Sequence, residues 1–585
     1  MLQLRGNGEG KEPLHCGYEE DTSRGRFMGI PLQTYHKIPE GEGTRERIVI
    51  IFFYLNNPGG MSSERLPKII KIVIISIIVI DKQKRMGYTG TIKENDLRIT
   101  GRRGMQAGQQ GKGTAAAILS GKKGQRMSKH NFTDIRVPIE PDNPSICRDE
   151  TKCIKCGQCK KVCTESIGVA GRYDLGLTGD NAICIHCGQC TNVCPAGSIT
   201  ERYEYKSVRE AAADPERIVI FSTSPSVRAA LGEEFGMADG SFVQGKMVAL
   251  LRKLGADYVL DTNFAADMTI MEEAGELVER LTKGTGPLPQ FTSCCPAWVK
   301  YMETYYPDVR DYLSSAKSPI GMQGPTIKTY FAKKMGLDPR RIVNVALTPC
   351  TAKKFEIRRE EMNAAGRYLG IEGMRDMDYC ITTRELAAWA REEEIDFAGL
   401  ADEDYDGFMG EGSGAGVIFG NTGGVMEAAV RTAYHMVTGE EAPPLLYELQ
   451  SVRGLDGVKE AFVYINDDVI LKLAVVYGTA NAGRLLEKIK NGEKQYHFVE
   501  VMTCPGGCIG GGGQPKDTQW KGENLIKARI QSLYERDRQM KIRCSHQNEE
   551  LIRLYGEFYG KPLSSLAEQM LHTFYVDRSA DLGVK

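Results

Sequence analysis

Residues 292–298 read Thr292-Ser293-Cys294-Cys295-Pro296-Ala297-Trp298, and the rest of the chain is read outward from them. Neighbouring side chains point different ways, so adjacent cysteines seldom share one task. One can hold a metal while the other faces a substrate channel. A buried pair of free thiols is the plainer reading, and this stretch alone does not separate the two. Two further stretches bear on the choice. Thr348-Pro349-Cys350-Thr351-Ala352-Lys353-Lys354 follows an apolar run, as does Glu500-Val501-Met502-Thr503-Cys504-Pro505-Gly506-Gly507-Cys508. Cys295, Cys350, Cys504 and Cys508 then offer four thiolates to one iron–sulfur cluster, with Cys294 left over.

The bulk numbers narrow the class. A chain of 585 residues has room for several domains. With 75 basic and 76 acidic residues, no global field favours nucleic acid. The 17 cysteines cluster rather than spread, which suits metal binding in a reducing compartment more than secreted disulfides. No export signal is visible, and the apolar runs Ile48–Leu55 and Ile69–Ile80 fall short of the roughly 20 residues that span a bilayer. The expectation is a cytoplasmic protein.

Eight cysteines form two C-x2-C-x2-C-x3-C runs, Cys153, Cys156, Cys159 and Cys163, then Cys184, Cys187, Cys190 and Cys194 followed by Pro195. This is the bacterial two-cluster ferredoxin pattern, in which the fourth cysteine of each run serves the other cluster. The expected ligand sets are therefore Cys153, Cys156, Cys159 and Cys194 for one 4Fe-4S cluster, and Cys184, Cys187, Cys190 and Cys163 for the other. Zinc needs four ligands per site but does not call for paired runs ending in Pro195. Cys147 and Cys544 lie outside every motif.

Apolar strands alternate with helical stretches after residue 215: strands at Ile218–Phe221, Tyr258–Leu260 and Ile342–Leu347, helices at Lys246–Leu254 and Ala265–Leu281. That alternation implies an α/β domain. Cys350 and Cys504 each sit just past an apolar run, and sites in open α/β sheets lie at the carboxyl ends of strands. Glu411–Gly424 (EGSGAGVIFGNTGG) lacks the Gly-Lys-Ser/Thr ending of a nucleotide loop. It reads as close backbone approach to a cofactor or as a tight core turn. Lys354, beside Lys353, is expected at the surface.

From about Thr151 to Tyr575 the three motifs resemble the signature loops of the iron-only (di-iron) hydrogenases, in a branch with Thr-Pro-Cys in the second loop and Cys-Pro-Gly-Gly-Cys in the third. The resemblance implies a cubane on Cys295, Cys350, Cys504 and Cys508, with Cys508 bridging to a di-iron unit that carries carbonyl, cyanide and a dithiolate. It implies a proton path through Cys294, Glu273, Ser314, Glu276 and Arg280. A thiol suits the innermost step, because its pKa near 8.5 lets it give and take protons near neutrality. Lys353 would donate to a cyanide ligand, and Ser224, Pro225, Ser226 and Met502 would complete the pocket. Thr348 and Ile320 depart from the best-known members, which have Met and Gln there.

The implied organisation is an α/β catalytic domain (215–525) of two lobes around the active-site cluster. An α+β two-cluster ferredoxin domain (140–205) precedes it, and a small-subunit-like segment (530–580) wraps it. Residues 1–126 are expected to be an unstructured extension, or upstream translation before a start at Met127. The proton/hydrogen couple lies near about −410 mV at pH 7, from about 59 mV per pH unit. Ferredoxin clusters reach about −400 mV, so ferredoxin is the expected electron partner. Maturation proteins would supply the di-iron unit, a further redox subunit is possible, and no nucleic acid or membrane is expected. A hydrogen sensor and an iron–sulfur electron-transfer or assembly protein are the alternatives. Each would be expected to lose Cys294.

Overall fold

The computed structural model describes residues 135–465 and 469–583, together with the backbone of three strands upstream. Those strands, β1 (Glu46–Phe52), β2 (Val73–Asp81) and β3 (Arg85–Ile92), pair antiparallel in sequence order. They belong to a unit separate from 124–585. The expectation of an unstructured 1–126 is corrected to that extent, since the two apolar runs supply β1 and β2. Everything else in that stretch, with Cys16 and Met127, lies outside the described residues.

In the second unit β4 (Ile146–Arg148) pairs antiparallel with β5 (Ile199–Glu201), Ile146 opposite Glu201, so one short ladder brackets both cysteine runs. Each run opens a helix, Gln158–Glu165 and Gln189–Asn192, after a glycine in the left-handed region, Gly157 (φ 78) and Gly188 (φ 68). Cys159 and Cys190 pack with Val137, Ile146 and Ile199.

Eight further strands follow: β6 (Ile218–Thr223), β7 (Tyr258–Asp261), β8 (Gln290–Phe291), β9 (Ile342–Thr348), β10 (Tyr379–Thr382), β11 (Val458–Tyr464), β12 (Ile470–Tyr477) and β13 (Phe498–Met502). They make two four-stranded sheets, β10-β9-β6-β7 and β11-β12-β13-β8. The first is wholly parallel. Its central strand β9 (IVNVALT) is buried at every position, as continuous apolar strands covered on both faces must be. In the second sheet β12, β13 and β8 run parallel and β11 closes the edge antiparallel. The alternating burial of β11 marks that edge.

The helix Thr262–Lys283 is longer than expected at both ends. The Asp261 carboxylate caps its start by accepting from Asn263 N, and left-handed Gly284 ends it. The C-terminal segment packs on residues 314–316. His572 bridges to Ala316, Thr573 N donates to Ser315 O at 2.8 Å, and Tyr575 OH donates to Ser314 O at 2.5 Å.

Lys354 corrects its expectation: it is buried, 2.9 Å from Glu385 Oε2 and 3.7 Å from Glu204 Oε2. Glu385 is also the third residue of a capping box with Thr382, so the pair ties the second motif to the helix Thr383–Glu392. Removing one partner of a buried ion pair costs about 3–5 kcal/mol. Lys354→Met is therefore expected to lower the unfolding free energy by about 3 kcal/mol, read as a lower denaturant midpoint under anaerobic conditions.

Candidate active site

The strand order of the first sheet reverses between β6 and β9: the chain proceeds from β6 to β7 on one side and from β9 to β10 on the other. The crevice outside the carboxyl ends of such strands is where ligands sit. Ser224-Pro225-Ser226 follows β6 and Thr348-Pro349-Cys350 follows β9. In the second sheet the ends of β8 and β13 carry Thr292–Cys295 and Thr503–Cys508. All three cysteine motifs thus emerge from parallel strand ends.

The four thiols meet. Cys350, Cys504 and Cys508 each have their pKa pushed up, first by burial and next by neighbouring thiols of the quartet. Cys350 and Cys508 reach about 12. Four thiolates are untenable here without a cationic group between them. Spacing indicates its size. Only His435, Glu441 and His546, among the described residues, bring three ligand atoms within 4.8 Å of one another. Thiolates about 2.3 Å from one tetrahedral zinc would lie closer together than that, so the quartet fits a polynuclear cluster better than one ion. Cys295 Sγ also lies 3.3 Å from Thr503 Oγ1.

Cys294 packs against the apolar cluster that holds Met502, whereas Cys295 and Cys350 pack against another. Burial, with Glu273 next, raises its thiol well above the ordinary range. Glu273 is fully buried, and neither carboxylate oxygen has a hydrogen-bond partner among the described residues. Burial, and then the charge of Glu276, push its pKa up to about 8. Ser314 Oγ donates to Glu276 Oε2 at 2.7 Å, and Arg280 Nη2 donates to Glu276 Oε1 at 2.6 Å. Arg280 is held further by the carbonyls of Leu313 (2.7 Å) and Pro287 (3.0 Å). The structure therefore brings Cys294, Glu273, Ser314, Glu276 and Arg280 into one file running out from the thiols.

Lys353 Nζ donates to Cys294 O at 3.1 Å and pairs with Glu356 at 2.6 Å. Burial pulls its pKa down, but Glu356, Cys350 and Cys294 outweigh that and hold the ammonium charged. The Ser226 hydroxyl is buried and without a partner. An orphaned donor and a buried cation at one strand-end crevice suit anionic acceptor ligands, as cyanide is. A Cβ on Gly420 would meet Ser226 Oγ at 2.5 Å, and one on Gly507 (φ 100) would meet Thr422 N at 2.5 Å. The glycines of 411–424 thus bring backbone against the third motif, as the tight-turn reading expected.

Comparison with known proteins bears directly on this constellation. The family profile "Iron only hydrogenase large subunit, C-terminal domain" matches residues 217–512. "Iron hydrogenase small subunit" matches 523–578, and "4Fe-4S binding domain" matches 178–200. The chain is 46% identical over 478 residues to the NADP-reducing hydrogenase subunit HndD of Solidesulfovibrio fructosivorans, covering 79% of each. It is 44% identical over 453 residues to iron hydrogenase 1 of Clostridium pasteurianum, 75% of this chain and 77% of that one. The solved [FeFe]-hydrogenase HydA1 of Chlamydomonas reinhardtii superposes with a TM-score of 0.57 at 39% identity, covering 64% of this chain and 99% of that one.

The chain belongs to the iron-only hydrogenase family.

It is thus an oxidoreductase acting on hydrogen, with 4Fe-4S and H-cluster cofactors, and the hydrogenase reading stands over its alternatives. In this hydrogenase Thr348 turns inward on its own loop, accepting from Cys350 N at 3.2 Å and approaching Cys380 Sγ at 3.6 Å. Ile320 packs with Ala346, Ile357, Met377 and Cys380.

Sequence reasoning missed the junction between the ferredoxin-like segment and the third motif. Burial, and next the Cys504 thiol, raise the pKa of Cys187. Gln189 Nε2 donates to Gly510 O at 2.9 Å, and Thr191 Oγ1 to Gly512 O at 2.9 Å. Gly188 sits where a Cβ would meet Thr351 Oγ1 at 2.4 Å. Its left-handed backbone disfavours any side chain by about 1–2 kcal/mol. Gly188→Ala is expected to lower the thermal unfolding midpoint by several degrees and to slow ferredoxin-driven turnover by opening this junction. The x2 spacing signals that Gly188 lies in a cluster loop, but nothing in the sequence signals Gly510 and Gly512 as its neighbours.

Proposed function

We propose that this hydrogenase reduces protons reversibly with electrons from reduced ferredoxin, using the residues named above in specific roles. Cys295, Cys350, Cys504 and Cys508 hold the cubane, Cys508 on the side of the di-iron unit. Cys153, Cys156, Cys159 and Cys194 hold one ferredoxin-type cluster, and Cys184, Cys187, Cys190 and Cys163 the other. The electrostatic proximity of Cys163 to Cys184, Cys187 and Cys190 supports its place in the second set. The domains we assign are 140–205 for electron entry, 215–525 for catalysis in two lobes, one per sheet, and 530–580 as the wrapping segment.

When bound, the H-cluster supplies the iron site and the amine base at which protons and electrons combine. The chain's part is to deliver both. Cys294 exchanges a proton at Sγ with the pocket side and with Glu273 on the other. Ser314 carries it between Glu273 and Glu276 by rotating its hydroxyl. Arg280 orients the Glu276 carboxylate at the outer end. Lys353 orients the pocket by fixing the Cys294 carbonyl and donating to an anionic ligand, with Ser226 as a second donor. The observation that carries the reading is the Glu273 carboxyl, buried beside Cys294 and Ser314 and held well above the ordinary carboxylate range. Such a group is costly unless it is used.

No helix among the described residues is long and apolar enough to cross a membrane. A further redox subunit fits the likeness to HndD, whose name makes it a subunit of an NADP-reducing enzyme. The test is hydrogen evolution by matured protein with reduced ferredoxin against reduced methyl viologen. Ferredoxin-driven turnover saturating at micromolar carrier is expected. Turnover with the dye alone would remove ferredoxin as the partner.

A further inference from the structure

His186 stands between Cys184 and Cys187 with φ 62, a conformation rarely adopted by a residue other than glycine. Its carbonyl accepts from Thr351 Oγ1 at 2.7 Å. Its ring is buried and stacks on Phe355, centroids 4.6 Å apart. Both ring nitrogens are engaged. Asn143 Oδ1 accepts from Ser145 N and Ile146 N, which fixes the amide, and lies 3.2 Å from Nδ1. Nδ1 therefore carries the proton and Nε2 accepts. Lys300 Nζ lies 2.8 Å from Nε2 and donates to it.

Lys300 sits five residues beyond Cys295 on the helix Pro296–Tyr305, and Phe355 five residues beyond Cys350. The imidazole is thus a strut from a ferredoxin-type loop to two catalytic loops. It holds Lys300 through a neutral acceptor rather than an anion. Glu303, on the same helix, is already taken by Arg359 (2.7 and 3.0 Å) and Arg578 (2.9 Å). The ammonium also rests 4.6 Å from the Phe355 ring centroid; burial lowers its pKa, and the Cys184 thiol, next in size, works against that. A fixed, incompletely neutralised cation near a cluster favours the state bearing one more negative charge.

We infer that Lys300, held in place by His186, is a positioning residue that raises the reduction potential of the four-iron cluster on Cys184, Cys187, Cys190 and Cys163, drawing electrons to the junction with the catalytic cubane. The inference rests on the ligand assignment proposed above. The step is one electron taken up by the oxidised cluster, with no bond made or broken and no proton moved.

The experiment is an EPR-monitored titration of the anaerobic holoenzyme with dithionite, with iron content measured on each sample. At the potential where this cluster is half reduced in the wild type, Lys300→Met is expected to lower its reduced-to-oxidised ratio about tenfold, about 59 mV for a one-electron couple. The other clusters should stay in place. Lys300→Arg should restore the ratio to within about twofold, which a purely structural role would not predict. His186→Gln, which frees Lys300 without removing it, should shift the same cluster in the same direction by less, and it serves if Lys300→Met does not fold. An unchanged midpoint for every cluster at full iron content, in either variant, overturns the inference. Wild-type iron too low for two ferredoxin-type clusters would overturn the ligand assignment first and the inference with it.

Discussion

Cys294→Ser is expected to keep the iron content and the infrared bands of the active site while lowering hydrogen turnover at least about 100-fold, the lower end of what positioned acid–base groups contribute. The substitution is nearly isosteric, and the groups that anchor residue 294 are main-chain ones. Lys353 binds its carbonyl, not its side chain. Cluster assembly should therefore survive. An alcohol, however, is a far weaker acid than a thiol in the same surroundings, so the innermost proton transfer loses its carrier. Wild-type turnover in an iron-replete Cys294→Ser sample would take Cys294 out of the proton path.

Glu273→Gln is expected to show two effects of opposite sign. Turnover falls about 100- to 1,000-fold, because the amide cannot relay a proton between Cys294 and Ser314. Stability rises relative to wild type as the pH goes up. Burial, followed by Glu276, places the Glu273 carboxyl at about 8 in the folded chain, against about 4.3 when unfolded. Between those values the folded state holds a proton that the unfolded state has released, so wild-type stability falls with rising pH. The variant lacks that slope. Melting midpoints measured anaerobically should nearly coincide at pH 5 and separate by pH 8, with the variant higher. A variant that loses activity but melts in parallel with wild type across that range would mean that Glu273 is not buried as a free carboxyl. The conflict is the ordinary one between a functional group and the fold that must bury it.

The cysteines of the three motifs and the strands before them were legible because both signals are local. A cysteine two or three residues past an apolar run sits at a strand end whatever lies elsewhere. The shared helix face of Glu273, Glu276 and Arg280 was legible from spacing, whereas its burial was not. What escaped depends on contacts between residues distant along the chain. Lys354 looked like a surface lysine because nothing nearby reveals that Glu385 and Glu204 converge on it. His186 carries no signal of its own in the sequence, since Lys300 and Phe355 meet it only in the folded state. Glu500 was missed for the same reason. It lies in β13, binds the amides of Gly423 and Met426 at 2.6 and 2.7 Å, and is pushed to about 7 mainly by burial. The switch between β6 and β9, which explains why Ser226 and Cys350 share a crevice, follows from strand order, which periodicity does not encode.

The most direct test takes protein matured with the di-iron unit and measures hydrogen evolution from reduced ferredoxin and infrared spectra on the same sample. Carbonyl and cyanide bands with fast turnover are predicted. Bands with negligible turnover would contradict the catalytic reading and point to a sensing protein, with Thr348 and Ile320 the first residues to vary. Absence of the bands after full maturation would contradict the assignment of the quartet and Lys353 to an H-cluster.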